Sequence, residues 1–197
     1  MVMINEVLNI LRDKLELVLQ NALLRSEKWV ILANPVDQDG SIPDELNNKV
    51  VMSVVSLQSD TSIGAFLPPS IGQGDRYLLS APPLFVDVYV LVMANFSGGN
   101  YAAGIGMLSR VISFFHENPI FTPNTAAGLP DEMDKLAIEF VNLDFAQANH
   151  VLMMSGLKAF PFVLYKLRRL PFAEPAISGV APAVRSVDPP RTGFPGR

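Results

Sequence analysis

Cysteine is absent from the 197-residue chain, which excludes a disulfide scaffold, thiolate catalysis and thiolate metal sites. Histidine is scarce, with only His116 and His150. A zinc site without cysteine normally needs three ligands from His, Asp or Glu. Neither histidine has a second ligand-type residue three or four positions away on its own helix face, so no metal is expected. Charge is scarce as well: 17% of residues are charged, against about 25% in an ordinary soluble domain. Basic excess is missing, and a net charge of -4 argues against a nucleic-acid binder, which needs a positive stripe to displace counterions. Long apolar runs are missing too. The most apolar stretch, 84–96, is interrupted by Asp87 and falls short of the ~20 apolar residues of a membrane helix. The start of the chain has no basic region, so no secretory signal is expected.

What the chain does have is apolar residue, at 49%. That suffices for a sizeable core and leaves too few solvated side chains to cover the outside. Part of the surface is therefore expected to lie against other protein. Length fits one domain with a tail.

The spacing predicts a helix over 4–24, with Ile4, Leu8, Leu11, Leu15, Val18, Leu19 and Ala22 on one face. Ile10, Leu17 and Leu24 repeat every seventh residue and lie about 140° from that stripe. Either a flanking loop or a neighbouring subunit covers them. Short strands are predicted at 29–34 and at 49–57, the second nearly all apolar as if covered on both faces. Residues 58–83, rich in Gly and Pro, form either a functional loop or a hairpin around 65–67 and 77–79.

The strongest strand is 84–96, where Val86, Val88, Val90 and Val92 alternate with Phe85, Asp87, Tyr89, Leu91 and Met93. Asn100 then caps a helix to about residue 116, with Tyr101, Ile105, Leu108, Ile112 and Phe115 predicted to be its buried face and Met107, Val111 and Phe114 extending the apolar arc. An irregular segment, 118–134, leads to a strand through Leu136, Ile138 and Phe140. Asp144 and Gln147 have the form of a capping box, opening a helix that ends at Gly156. A last strand spans 160–170. Six prolines (171, 175, 182, 189, 190 and 195) then mark an extended C-terminal arm. The reading is an α+β domain over 1–172, a mostly antiparallel sheet with helices on one face, followed by a proline-rich arm over 173–197.

No catalytic constellation survives inspection. Gly98, Gly99, Gly104 and Gly106 do not make a dinucleotide fingerprint, because the second pair falls a turn inside the helix. Gly104 and Gly106 are expected instead to let the helix approach a neighbour. Ser97 and Ser155 lack the first glycine of a nucleophile elbow. Asp131, Glu132 and Asp134 read as a solvated loop. Asp87 interrupts an apolar strand and needs a partner, for which Lys166 and Arg168 are the candidates. Lys158, Lys166, Arg168 and Arg169 give this acidic chain one basic region, suited to a charged protein–protein surface.

Taken together, Met3 to Leu8 (MINEVL), KVVMSVV at 49–55, PLFVDVYVLVMANF at 83–96, Tyr101 with LSRVISFF at 108–115, and FPFVLYKLR at 160–168 carry a resemblance. In order and spacing they resemble the N-terminal domain of the cap, or tube-terminator, proteins of phage-tail-like contractile injection systems. The likeness covers roughly residues 3 to 172. Its long 58–83 segment and short tail depart from the family pattern.

The resemblance implies a phage tail-terminator-like fold and a structural role without catalysis, metal or cofactor. It implies a ring, expected to have six subunits, that stops growth of the inner tube and anchors the last sheath layer. Its partners would be further copies of itself, the inner tube protein and the sheath protein, with no nucleic acid and no membrane. Assembly would take place in the cytoplasm, as part of a particle that can be released. Ile10, Leu17, Leu24, Lys166, Arg168 and Arg169 are the candidate subunit-interface residues. Two readings from other classes stay open: an adaptor that docks through the proline-rich arm, and a small-molecule-binding α+β domain.

Overall fold

The computed structural model describes residues 3–24, 26–60, 70–71, 76–80, 84–130, 133–157, 160–173 and 177–182. Helix α1 (Ile4–Leu23) is followed by strands β1 (Val30–Leu32), β2 (Lys49–Ser59), β3 (Ser70–Ile71), β4 (Arg76–Ser80) and β5 (Leu84–Asn95). Helix α2 (Tyr101–Glu117), β6 (Ile120–Phe121), β7 (Leu136–Val141), helix α3 (Phe145–Met154), β8 (Phe162–Ala173) and β9 (Ile177–Pro182) follow among the described residues. Six strands form the main sheet in the order β1-β2-β5-β8-β7-β6, and β3, β4 and β9 form a second sheet. Only β1 and β2 run parallel; every other ladder is antiparallel, as expected from the sequence.

The period-two alternation of β5 sorts its side chains onto two faces. Val88, Val90, Val92 and Ala94 join one core cluster, while Leu91 and Met93 join another. The first core lies under α1 and α2, which contribute Val7, Leu8, Leu11, Leu15 and Leu19, and Met107, Val111, Phe114 and Phe115. Each fully buried Leu or Val there stabilises the fold by about 1.5–3 kcal/mol of removed apolar surface. The second core lies on the opposite face, around Leu46, Leu157 and Leu164, with Val151 and Leu152 of α3 packed against it. Helices on one face is therefore a misreading. A single-sequence pattern shows that β5 is apolar on both sides, but not which helix covers which side.

On α2 the expectation holds in part: Leu108 and Phe115 are buried, as are Met107, Val111 and Phe114 of the wider apolar arc, whereas Tyr101, Ile105 and Ile112 are exposed and Gly104 is buried. The packing of Gly104 explains the difference. A Cβ on Gly104 would come within 2.6 Å of the Phe96 side chain, so the helix can approach the end of β5 only with glycine turned inward. Gly106 meets nothing within 4 Å and plays no such part.

Asn100 does not cap α2 through its side chain. A 3-10 turn over Gly98–Asn100 runs straight into the helix, and the Asn100 Nδ2 donates to Asn48 Oδ1 at 3.1 Å. The capping box on α3 is present as expected: Gln147 N donates to Asp144 Oδ1 at 2.8 Å, and Asp144 N to Gln147 Oε1 at 3.1 Å. Gly156 ends the helix region at φ 69, where a side chain would strain the backbone and crowd Val36.

Part of the 58–83 segment and part of the arm pair with each other. Ser70 and Ile71 face Leu78 and Tyr77, and Arg76 to Ser80 face β9. Ser80 pairs with Ile177, four residues beyond the Leu84–Ala173 pair on each strand. A register shift separates Ser80 from the rest of the β4–β9 ladder. The expected hairpin partner at 65–67 and the arm beyond residue 182 lie outside the described residues, as do Asp131, Glu132 and Lys158.

Candidate assembly surface

The seven-residue row on α1 divides in three. Ile10 is half-buried against the first core, and a Cβ on Gly128 would stand 3.8 Å from its Cδ1, so the 118–134 segment reaches it. Leu17 is 59% exposed and Leu24 is 92% exposed. Leu24 adopts a left-handed backbone, φ 53 and ψ 37, which for a leucine costs about 1–2 kcal/mol. The helix terminates there with an apolar side chain turned to the outside.

Asp87 resolves into a structural hub. Its Oδ2 pairs with Lys166 Nζ at 2.7 Å, and its Oδ1 accepts the backbone N–H of Arg169 at 3.0 Å. At this point Arg168 and Arg169 of β8 stand opposite the single residue Asp87 of β5, a bulge between the Val86–Leu170 and Val88–Leu167 pairs. Arg169 takes φ 58, a position that favours glycine. The carboxylate compensates for that strain, and Arg169 Nε also donates to Asp60 Oδ2 at 3.0 Å. Arg168 pairs with Glu139 across the β7–β8 ladder at 2.9 Å.

Of the two partners anticipated for Asp87, Lys166 is the one that pairs with it. That hydrogen bond raises the Lys166 pKa above its ordinary value, and Glu139 does the same for Arg168. Lys166, Arg168 and Arg169 therefore reach the surface already matched to carboxylates of their own chain. They form an ion-pair network along β8 rather than a bare positive patch.

Several contributors are invisible to sequence patterning. Glu16, on the partly covered side of α1, accepts N–H bonds from Trp29 and Val30 at 2.7–3.0 Å and so fixes the start of β1. Helix α3 has no fully buried residue; Phe145 is 97% exposed, Met153 68% and Met154 78%. Its sequence, FAQANHVLMM, contains no Asp, Glu, Lys or Arg. That lack of charge was the available signal, since a solvated helix face normally carries some.

On the other face of the sheet a groove of about 410 Å³ opens between α2 and β7, lined by Ile112, Phe115, Pro119, Ile138, Phe140 and Tyr165 together with His116 and Glu139. Burial pushes the Tyr165 hydroxyl up to about 12, and among the described residues that hydroxyl has no hydrogen-bond partner.

Among the described residues, no group of three or more His, Cys, Asp or Glu is placed to hold a metal ion. His116 and His150 lie exposed on separate helices. No helix of the described residues is long and apolar enough to cross a membrane. The arrangement offers apolar contact area and internally neutralised charge, the chemistry of a subunit that packs against others.

Comparison with known proteins agrees with that character. The family model described as the Pvc16 N-terminal domain matches residues 6–186. Among solved structures, the chain is similar to the sheath/tube terminator of PVC, an extracellular contractile injection system, determined by cryo-EM in the extended state. The TM-score is 0.56 at 12% identity, over 100% of this chain and 65% of the terminator chain. At that identity the likeness is one of fold. No protein of curated function matches the sequence significantly.

Proposed function

The chain belongs to the Pvc16 N-terminal domain family, and from that premise we propose that it is a structural subunit of a contractile injection system. In this reading, copies of the chain form a closed ring, of six subunits, on the end of the inner tube distal to the baseplate. The ring stops tube growth and anchors the last layer of sheath. Its partners are its own copies, the tube protein and the sheath protein. Assembly takes place in the cytoplasm, and the chain performs no catalysis.

The observation that carries this reading is the likeness of the whole chain to a sheath/tube terminator. The surface supports it independently. A ring uses a heterologous contact, in which one patch meets a different patch on the next copy. Leu17 and Leu24 on α1, the uncharged outer face of α3 and the exposed flank of α2 supply apolar patches in separate places. The basic residues of β8, matched internally, add a polar rim.

The test is negative-stain imaging of purified inner-tube protein assembled with and without this chain. The reading predicts density at tube ends only, and shorter tubes as the chain is increased. Binding along tube walls, or tubes of unchanged length with bare ends, contradicts it. Repeating the experiment after deletion of 183–197, which spares β8 and β9, separates a ring built by the domain from an adaptor docking through the end of its arm, because only the former survives the cut.

A further inference from the structure

We propose that the exposed face of α3, together with the acidic loop between β1 and β2, docks a basic amphipathic helix of a protein other than this chain. The site goes beyond the ring reading and stands whether or not the ring closes. Of the apolar patches named above, it gives this one to a partner of opposite charge.

The apolar half of the site is the outer side of α3. Phe145, Met153 and Met154 are exposed there, with Ala146 exposed beside them. The helix carries no Asp, Glu, Lys or Arg, so a partner pressed against it desolvates no charge of α3. Methionine suits such a contact, because its pliable side chain refits to whatever surface it meets.

The acidic half is the β1–β2 loop. Asp37, Asp39, Asp44 and Glu45 are all exposed, and no Lys or Arg occurs from 30 to 48. Asp13, Asp60, Asp87 and Glu139 each pair with a cation, but among the described residues none of the loop's four carboxylates does. Nor are the four placed to share a metal ion. Their charge is open to basic side chains.

Two contacts join the halves. A Cβ on Gly156, just past the end of α3, would stand 3.0 Å from Val36 Cγ2, so the start of the loop lies against the end of the helix. Ile42 and Leu46, further along the loop, pack in the second core with Val151 and Leu152 of α3. The acidic loop therefore stands at the carboxyl end of α3, beside Met153 and Met154. The last turn of that helix has no basic residue, and its carbonyl end adds partial negative charge at the same place. Lys158, close behind in the chain, lies outside the described residues.

The chemistry of the partner follows. Its apolar stripe packs on Phe145 and the two methionines, and Lys or Arg along one border of the stripe meets the loop. A further copy of this chain is a poor match. Its net charge is -4, and Lys166, Arg168 and Arg169 of β8 are already paired with carboxylates of their own chain.

The test is NMR of the full-length chain labelled at its methionine methyls. The probe is a peptide of about 14 residues with Leu and Lys at helical spacing. Saturable shifts are predicted at Met153 and Met154, with the buried Met52, Met93, Met107 and Met133 unmoved. The same peptide with Glu in place of Lys should move none of them. Asp37→Asn, Asp44→Asn and Glu45→Gln together should weaken binding about tenfold. Asp39 is kept, because its Oδ1 holds Ser41 N at 2.8 Å and Ser41 Oγ at 2.6 Å. Phe145→Ala, at an exposed position, should weaken binding as well.

No shift with the Lys peptide, or equal shifts with both peptides, overturns the proposal. So does unchanged affinity in the neutralised variant. Shifts at Met153 and Met154 that grow with the chain's own concentration, before any peptide is added, would place a further copy on this face and overturn it too. Light scattering with and without tube protein reads the ring separately, so failure of the ring reading and failure of this site are told apart.

Discussion

Helices α1 and α3 flank opposite faces of the same sheet and are put to opposite uses. Helix α1 buries Val7, Leu8, Leu11, Leu15 and Leu19 completely and turns Glu6, Asp13 and the partly covered Arg12, Lys14 and Glu16 outward. Helix α3 buries no residue completely and turns Phe145, Met153 and Met154 outward instead. Both are apolar, but only α1 has a charged complement. The difference teaches that apolar content by itself does not tell a core helix from one that leaves apolar side chains exposed. What distinguishes them is whether the remaining positions are suited to water.

The comparison can be broken most sharply by matched truncations. Leu15→Ala in α1 is expected to cost about 2–5 kcal/mol, through lost burial and the cavity left behind. Met154→Ala in α3 should stay within about 0.5 kcal/mol, as for an exposed site. Urea denaturation of the two variants measures both, and equal losses would end the distinction.

Next in size is Asp87→Asn, expected to cost about 1–3 kcal/mol, because it removes the charge paired with Lys166 and weakens the acceptor that holds the Arg169 bulge. The same denaturation curve reads it. A neutral result would mean that the bulge is held by the strand ladders alone.

Tyr165→Phe is a smaller and more specific change. The Tyr165 pKa is raised from 10.0 to about 12 in the folded chain, so between those values the unfolded state has lost a proton that the folded state keeps. Stability therefore falls as pH rises above 10, by an amount on the order of 1–2 kcal/mol. Lys166, also raised, acts in the same direction: its contribution is complete below its unfolded value and is lost as pH rises through the folded one. The prediction is that Tyr165→Phe flattens the alkaline decline in melting temperature without abolishing it. An unaltered decline would remove Tyr165 as a cause.

The smallest effect on folding belongs to Leu17→Asp. Stability should move by no more than about 0.5 kcal/mol, because the site is exposed. Ring formation should weaken. A folded variant that assembles unchanged would take the α1 row out of the interface.

Much of the fold was legible in the sequence because several signals are local. The alternation in β5, the stripe of α1 and the Asp144–Gln147 box each depend on residues within a few positions. The alternation and the box appear in the structure where the pattern placed them, and the stripe does so save that Ala22 is exposed and Val7 is buried. The face of α2 was legible only in part, because its rotation is set by the contact between Gly104 and Phe96, which depends on how closely the helix can approach β5. The pairing of β4 with β9 joins residues about a hundred positions apart and leaves no periodic trace.

The candidate surface was legible only in part. Low charge predicted that some surface would be covered, and Leu17 and Leu24 are indeed exposed. The groove beside Tyr165 was hidden, because its walls come from α2, β7 and β8 and are mainly apolar residues that sequence alone assigns to the core.

The central claim is that this chain is built to assemble with copies of itself, and the mass of the purified full-length protein in solution tests it most directly. Light scattering should give a single species near six times 21.5 kDa, either for the chain alone or on adding tube protein, with the excess mass reduced by Leu17→Asp. A species that remains at 21.5 kDa at every concentration and in the presence of tube protein would contradict the account.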